Sequence, residues 1–189
     1  MSALSAPPLP APAPALLTVE EFLEKYDNHF VELVDGVVKE VPVPFPLHGK
    51  CCTTFGALLF FYAEENDSGH VAGNDSWIRT GKRSVRGADV CYFSYERVPK
   101  GPLPPGLLDA APDLVGEVKS PSDTWMELFA KVGEYHRAGV RVVVILDPEK
   151  ATASVYRPGA EQVVFGAADE LTIPDVLPGF RVAVSRLFA

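Results

Sequence analysis

This chain of 189 residues is poor in cysteine and holds no long apolar run. Its three cysteines are Cys51, Cys52 and Cys91; the first two are adjacent, and no C-x-x-C pair exists. Adjacent cysteines do not bridge easily. The thiols therefore read as reduced, in a cytoplasmic setting, and the pattern argues against a zinc site. No apolar stretch reaches the roughly 18 residues of a membrane span, so no membrane partner is expected. Basic residues are the minority: 17 Lys and Arg stand against 25 Asp and Glu, for a net charge of −8. Non-specific nucleic-acid binding rests mainly on neutralising phosphates, so this balance weighs against it. Only a local basic patch remains available, and Lys82-Arg83 with Arg86 is the densest.

The first fifteen residues lack any basic residue and any continuous apolar core, which excludes a secretory signal. Rich in Pro and Ala, Met1 to Ala15 reads as a disordered or polyproline-like tail. Residues 16–189 are long enough to bury a good core and read as a single domain. Thr18-Val-Glu-Glu21 has the form of a capping box and predicts a short helix over 19–26. Asp35-Gly36 between strand-like runs predicts a hairpin, and Pro42, Pro44 and Pro46 end it. A helix is expected over 48–66, then strands over 71–80 and 84–93 joined at Gly81-Lys82. Five prolines make 99–112 a long loop. A strand ending at Pro121 leads to a helix capped by Ser122 or Asp123 and stopped by Gly139. The unbroken apolar run Val140 to Leu146 predicts a strand covered on both faces. A hairpin over 154–165 and a last strand or helix near 182–187 complete an α/β or α+β sheet with a helix on each side.

Chemistry concentrates in Asp113-Leu-Val-Gly-Glu-Val-Lys-Ser-Pro-Ser122 and in Arg86-Gly-Ala-Asp89-Val-Cys-Tyr-Phe93. In a strand over 114–119, Val115, Glu117 and Lys119 share one face. An acid and a lysine in an otherwise apolar strand are costly unless paired or bound to a cation. Asp89 is a lone acid in a similar strand. An Asp followed some thirty residues on by Glu-x-Lys suits a metal-dependent phosphodiesterase. Two carboxylates hold Mg²⁺ (or Mn²⁺), and the lysine orients water or offsets phosphate charge. The competing reading is structural: a Glu117–Lys119 salt bridge on an edge strand, and Asp89 capping a turn. Glu32, His48 and Lys131 are further candidates, each with a plain alternative as an exposed strand position, a helix-end histidine and a solvated lysine. Tyr135 reads as core, and Cys51-Cys52 as small helix hydrophobes.

The ordered set of short pieces resembles the Uma family of restriction endonucleases, a branch of the PD-(D/E)XK nuclease superfamily. The pieces include Thr18-Val-Glu-Glu-Phe-Leu, Val31-Glu-Leu-Val-Asp-Gly36, Pro46-Leu-His48, Arg86-Gly-Ala-Asp-Val90, Ala111 through Ser122, Lys131-Val-Gly-Glu-Tyr135, Leu146-Asp-Pro148 and Leu177-Pro-Gly-Phe180. Together they span nearly all of the chain beyond the tail. The resemblance implies a restriction-endonuclease-like mixed sheet flanked by helices. It also implies a divalent-metal site at Asp89, Glu117 and Lys119, with Glu32 as a further acid and His48 and Lys131 nearby. Ala88 stands where the superfamily usually has Pro, and Val142-Val-Val144 replaces an aromatic-bearing stretch. The reading is a cytoplasmic Mg²⁺-dependent endonuclease acting on DNA; the resemblance implies a 3′-hydroxyl and a 5′-phosphate as its products and suggests a homodimer as its assembly. Two alternatives stay open: a catalytically silent nucleic-acid or protein interaction module of the same fold, and a hydrolase of smaller phosphodiesters.

Overall fold

The Asp35-Gly36 turn forms as the dipeptide dictates, with φ of 49° and 85° at its two residues. Those left-handed angles match the twist of a two-residue hairpin, here joining β1 (Val31–Val34) to β2 (Val37–Glu40). The computed structural model describes residues 16–27 and 29–189; the expected N-terminal tail lies outside them. Before the hairpin stands α1 (Val19–Tyr26), closed at its start by the Thr18–Glu21 capping box. Pro46 opens the long α2 (Pro46–Asn66), two residues earlier than the spacing suggests, because proline is well suited to a first helical turn.

Two long strands follow, β3 (Gly69–Gly81) and β4 (Ser84–Ser94), turning at Lys82-Arg83. After the proline-rich loop come β5 (Leu114–Val118), α3 (Trp125–Ala138) and β6 (Val142–Asp147), with β5 and β6 parallel. Thr124 caps α3, not Ser122 or Asp123. It forms a reciprocal capping box with Glu127, whereas Asp123 accepts the Ser120 N–H at 2.7 Å. Gly139 ends α3 at φ 101°, as expected of a glycine stop. β7 (Thr152–Tyr156) and β8 (Val163–Phe165) extend the sheet, giving the order β2-β1-β4-β5-β6-β7-β8 with β3 paired to β4. β9 (Glu170–Thr172) and β10 (Arg181–Ala183) form a separate pair before a short 3₁₀ turn.

Alternation sorts the core by face. Val142, Val144 and Leu146 join Phe55 and Leu59 of α2, together with the C-terminal Leu171, Leu177 and Leu187. Val143 and Ile145 join Leu128, Val132 and Tyr135 of α3. The 142–147 strand is thus covered on both sides, as its unbroken apolar run implied. A third cluster seats Val19 and Phe22 of α1 on Leu33 and Val85. Gly116 lets α2 approach β5: a Cβ there would lie 2.6 Å from the Phe55 ring. No helix among the described residues is long and apolar enough to cross a membrane.

Candidate active site

One edge of β4 is taken by β3 along its whole length; the other is shared. β1 meets that other edge only at Val85, and β5 only at Val90 to Tyr92. Between the two contacts the sheet forks, and side-chain carboxylates replace the missing backbone partners. Glu32 Oε1 of β1 accepts the Gly87 N–H at 3.1 Å. Asp89 Oδ2 of β4 accepts the Val118 N–H of β5 at 2.6 Å. Glu117 stands beside them on β5. All three acids are buried, at 6%, 9% and 4% exposure for Glu32, Asp89 and Glu117. Acids so placed must be hydrogen-bonded or paired.

Their partners come from α3. Lys131, Glu134 and Tyr135 are spaced at i, i+3 and i+4, so one helix face carries all three to the fork. Lys131 Nζ lies 3.1 Å from Glu117 Oε2 and 3.3 Å from Glu32 Oε1. The Tyr135 hydroxyl donates to Glu117 Oε1 at 2.7 Å. Arg86 donates to Glu32 Oε2 at 2.8 Å and binds both oxygens of Glu134 in a forked pair. A continuous network therefore runs Glu134–Arg86–Glu32–Lys131–Glu117–Tyr135 across the strands beside the fork and one helix.

On the other side of Asp89 stands α2. His48 Nε2 is 3.4 Å from Asp89 Oδ2, and His48 Nδ1 is 3.3 Å from Cys52 Sγ. Asp75 joins them from β3, where Asn74 and Asp75 adopt left-handed φ of 61° and 56° in an irregularity between Gly73 and Ser76. His48, Cys52, Asp75 and Asp89 line one cleft of ≈ 540 Å³ between α2 and the β3–β4 ribbon.

The charges respond to this crowding. Burial pushes Glu117 up to about 7; the Asp89 carboxylate adds to the rise, while Lys131 and Tyr135 oppose it. Burial, then Asp89, also raises Asp75. Burial opposes the charge on Lys131, yet Glu117 and Glu32 outweigh it and hold the ammonium protonated. For His48, burial is likewise outweighed by Asp89, and its affinity for a proton rises. Five carboxylates, Glu32, Asp75, Asp89, Glu117 and Glu134, thus face two fixed cations, Lys131 and Arg86, so the acids outnumber the cations beside them, and burial and mutual repulsion push Glu117 and Asp75 toward holding a proton. Hard oxygen donors with surplus negative charge fit Mg²⁺ or Mn²⁺.

The sequence-derived residues do not all converge. Glu32, Asp89, Glu117, His48 and Lys131 gather at the fork. Lys119 does not pair with Glu117, because β5 ends at Val118 and its alternation stops there. Lys119 Nζ lies 3.6 Å from Glu149 and 3.4 Å from the Ser120 carbonyl. Arg86 is buried inside the network, whereas Lys82 and Arg83 are exposed at the hairpin tip. Those two line a groove of ≈ 530 Å³ with Arg137 and Glu134. Sequence reasoning missed Glu134 and Asp75, took Tyr135 for core alone and gave Cys52 no polar role. The i, i+3, i+4 spacing of Lys131, Glu134 and Tyr135 was a usable signal, as was Gly73-Asn74-Asp75 interrupting a strand.

The chain matches the Uma2 family model, described as "Putative restriction endonuclease", over residues 19–185. Among solved structures it is similar to "a putative nuclease belonging to DUF820" from Anabaena variabilis ATCC 29413. That match has a TM-score of 0.81 at 20% identity and covers 91% of this chain and 97% of the other. At that identity the likeness is one of fold: a large mixed sheet flanked by helices. None of the curated proteins matches the chain significantly.

Proposed function

The chain belongs to the Uma2 family, and from that premise we propose that it is a Mg²⁺- or Mn²⁺-dependent nuclease acting on DNA. The observation that carries the reading is the fork itself: buried acids from separate strands, in excess over their cations, beside an open cleft. Asp89 and Glu117 would hold the ion, with Glu32 as the acid behind them. A bound divalent cation supplies charge neutralisation at the phosphate and a lowered pKa for attacking water.

The chain's own groups divide the remaining work. Tyr135 and Lys131 bind separate oxygens of Glu117 and fix its plane. Lys131 also balances Glu32, so it acts as an internal counter-charge and a positioning residue. Lys119 is differently placed. Its own side chain is only 10% exposed, and its contact with the 66% exposed Glu149 is long, at 3.6 Å. Its ammonium would leave that contact to meet the negative charge that develops on phosphate. Lys119→Ala should lower the cleavage rate by on the order of 10²–10³-fold, the scale of removing one transition-state donor, with little change in melting temperature. Cleavage at the wild-type rate would pass that role to Lys131.

DNA would be gripped by a confined basic face, since the chain as a whole is acidic. Lys82, Arg83 and Arg137 supply exposed cations one network away from the acids. Binding should weaken steeply with salt. Lys82→Ala/Arg83→Ala should lower the log–log salt slope by about 2, near 0.9 for each phosphate no longer neutralised. An unchanged slope would remove this groove from the interface.

The deciding assay incubates the protein with supercoiled, linear and single-stranded DNA under Mg²⁺, Mn²⁺ or EDTA. Metal-dependent strand cleavage supports the reading. Metal and DNA binding without cleavage would indicate a silent module of the same fold, and cleavage confined to a small phosphodiester would indicate a different substrate.

A further inference from the structure

We propose that His48, Cys52 and Asp89 form a binding site for a borderline divalent cation of the zinc class, a ligand chemistry separate from the all-carboxylate Asp89–Glu117 pair. One ligand atom from each of the three residues lies within 4.8 Å of the others. The two contacts observed are 3.3 Å from Cys52 Sγ to His48 Nδ1 and 3.4 Å from His48 Nε2 to Asp89 Oδ2. Tetrahedral zinc with ordinary bond lengths spaces its sulfur and nitrogen ligands by about 3.6 Å, and its nitrogen and oxygen ligands by about 3.3 Å. The two contacts use different ring nitrogens of His48, so an ion takes one of them and replaces the contact made by the other; the three ligand atoms, all within 4.8 Å of one another, are within reach of a single ion.

The fold supplies a rigid frame for it. His48 and Cys52 are one helical turn apart on α2, so a single face of a long helix presents both. That face is distinct from the row Cys51, Phe55 and Leu59, which is fully buried in the core. Asp89 comes from the central β4, where the Val118 N–H orients its carboxylate. The ligands line the same ≈ 540 Å³ cleft, beside the small residues Gly49 and Gly56. Among the described residues, no atom outside the helix lies within 4 Å of where a Gly49 Cβ would stand, so the helix surface next to His48 is open. Asp75 faces this cleft too and adds negative charge. The donor set decides the class of ion. Sulfur and imidazole select zinc-class ions over Mg²⁺, which takes oxygen. The absence of paired cysteines does not exclude this site, because it takes one ligand from each of three residue types.

Such a site goes beyond the nuclease reading and can be tested without cleavage. Cobalt(II) is titrated into the purified full-length protein and followed by absorption. One equivalent should produce a sulfur-to-cobalt charge-transfer band with the visible bands of a tetrahedral site. Cys52→Ser should lose the charge-transfer band, whereas Cys51→Ser and Cys91→Ser should keep it. Asp89→Asn should weaken cobalt affinity by more than the roughly 10–100-fold typical of losing a carboxylate that only supports a ligand, because Asp89 is itself a ligand. A large excess of Mg²⁺ should leave the band in place. Should Cys52→Ser not fold, His48→Gln takes its place, with loss of the tetrahedral bands expected. No charge-transfer band at one equivalent, a band that survives in Cys52→Ser, or displacement by Mg²⁺ would each overturn the site. Absence of DNA cleavage would leave it standing.

Discussion

Glu117→Gln is expected to abolish metal-dependent cleavage while the protein stays folded. The amide keeps an oxygen for the Tyr135 hydroxyl, now 2.7 Å from Glu117 Oε1, and Lys131 keeps Glu32. What disappears is one of the two carboxylates proposed to hold the cation. Charge stabilisation by a bound metal is worth several kcal/mol, and each 1.4 kcal/mol is tenfold in rate, so a fall on the order of 10³-fold or more is expected. Stability should move in the opposite sense. Burial lifts Glu117 from its ordinary 4.5 to about 7, so across that interval the folded state holds more protons than the unfolded one. This group's contribution is therefore fully present below about pH 4.5 and is lost as pH rises to about 7. In EDTA, Glu117→Gln should remove that part of the decline. Cleavage near the wild-type rate in Glu117→Gln would sink the assignment of this carboxylate, and an unfolded variant would mark it as structural.

Arg86→Ala should be the most destabilising substitution among the charged residues of the site. Its guanidinium is buried and bonded to Glu32 and to both oxygens of Glu134. Removing it leaves Glu134, among the described residues, with the Thr80 hydroxyl and no paired cation, and Glu32 with only Lys131 and the Gly87 N–H, in a poorly solvated place. Breaking a buried pair from one side costs about 3–5 kcal/mol, which for a chain this size lowers the melting temperature by on the order of 10 °C. Arg86→Lys should recover part of this, since it restores the charge but not the fork geometry. Thermal unfolding separates a structural role for this residue from a DNA-binding one. A DNA-contacting arginine would leave the melting temperature unchanged on truncation and weaken only binding.

Local elements were legible where the information is local. The Thr18–Glu21 capping box, the Asp35-Gly36 turn, the Gly139 stop and the doubly covered strand at 142–147 all follow from near-neighbour sterics and periodicity. The α3 cap was missed because Ser122, Asp123 and Thr124 all have capping side chains, and only Thr124 has Glu127 three residues on. Asp89 and Glu117 stood out because an acid in an apolar strand needs a partner. The partner itself was not legible. Strand alternation paired Glu117 with Lys119, but β5 ends at Val118, and the cation that reaches Glu117 is Lys131, fourteen positions away on another element.

The order of elements, the two buried faces of the central strands, and the acids that would be costly to bury are all written in the amino-acid sequence. How those acids are satisfied is a matter of tertiary packing. β4 gives one edge to β1 and β5 in turn, and the gap between them is a property of strand pairing between segments distant in the chain, Leu33 with Val85 and Val90 with Gly116. Into that gap α3 brings Lys131, Glu134 and Tyr135, and α2 brings His48 and Cys52. A lone residue's cost of burial follows from its own chemistry. Its compensation depends on which distant side chain the packing brings within about 3 Å, the range of a hydrogen bond.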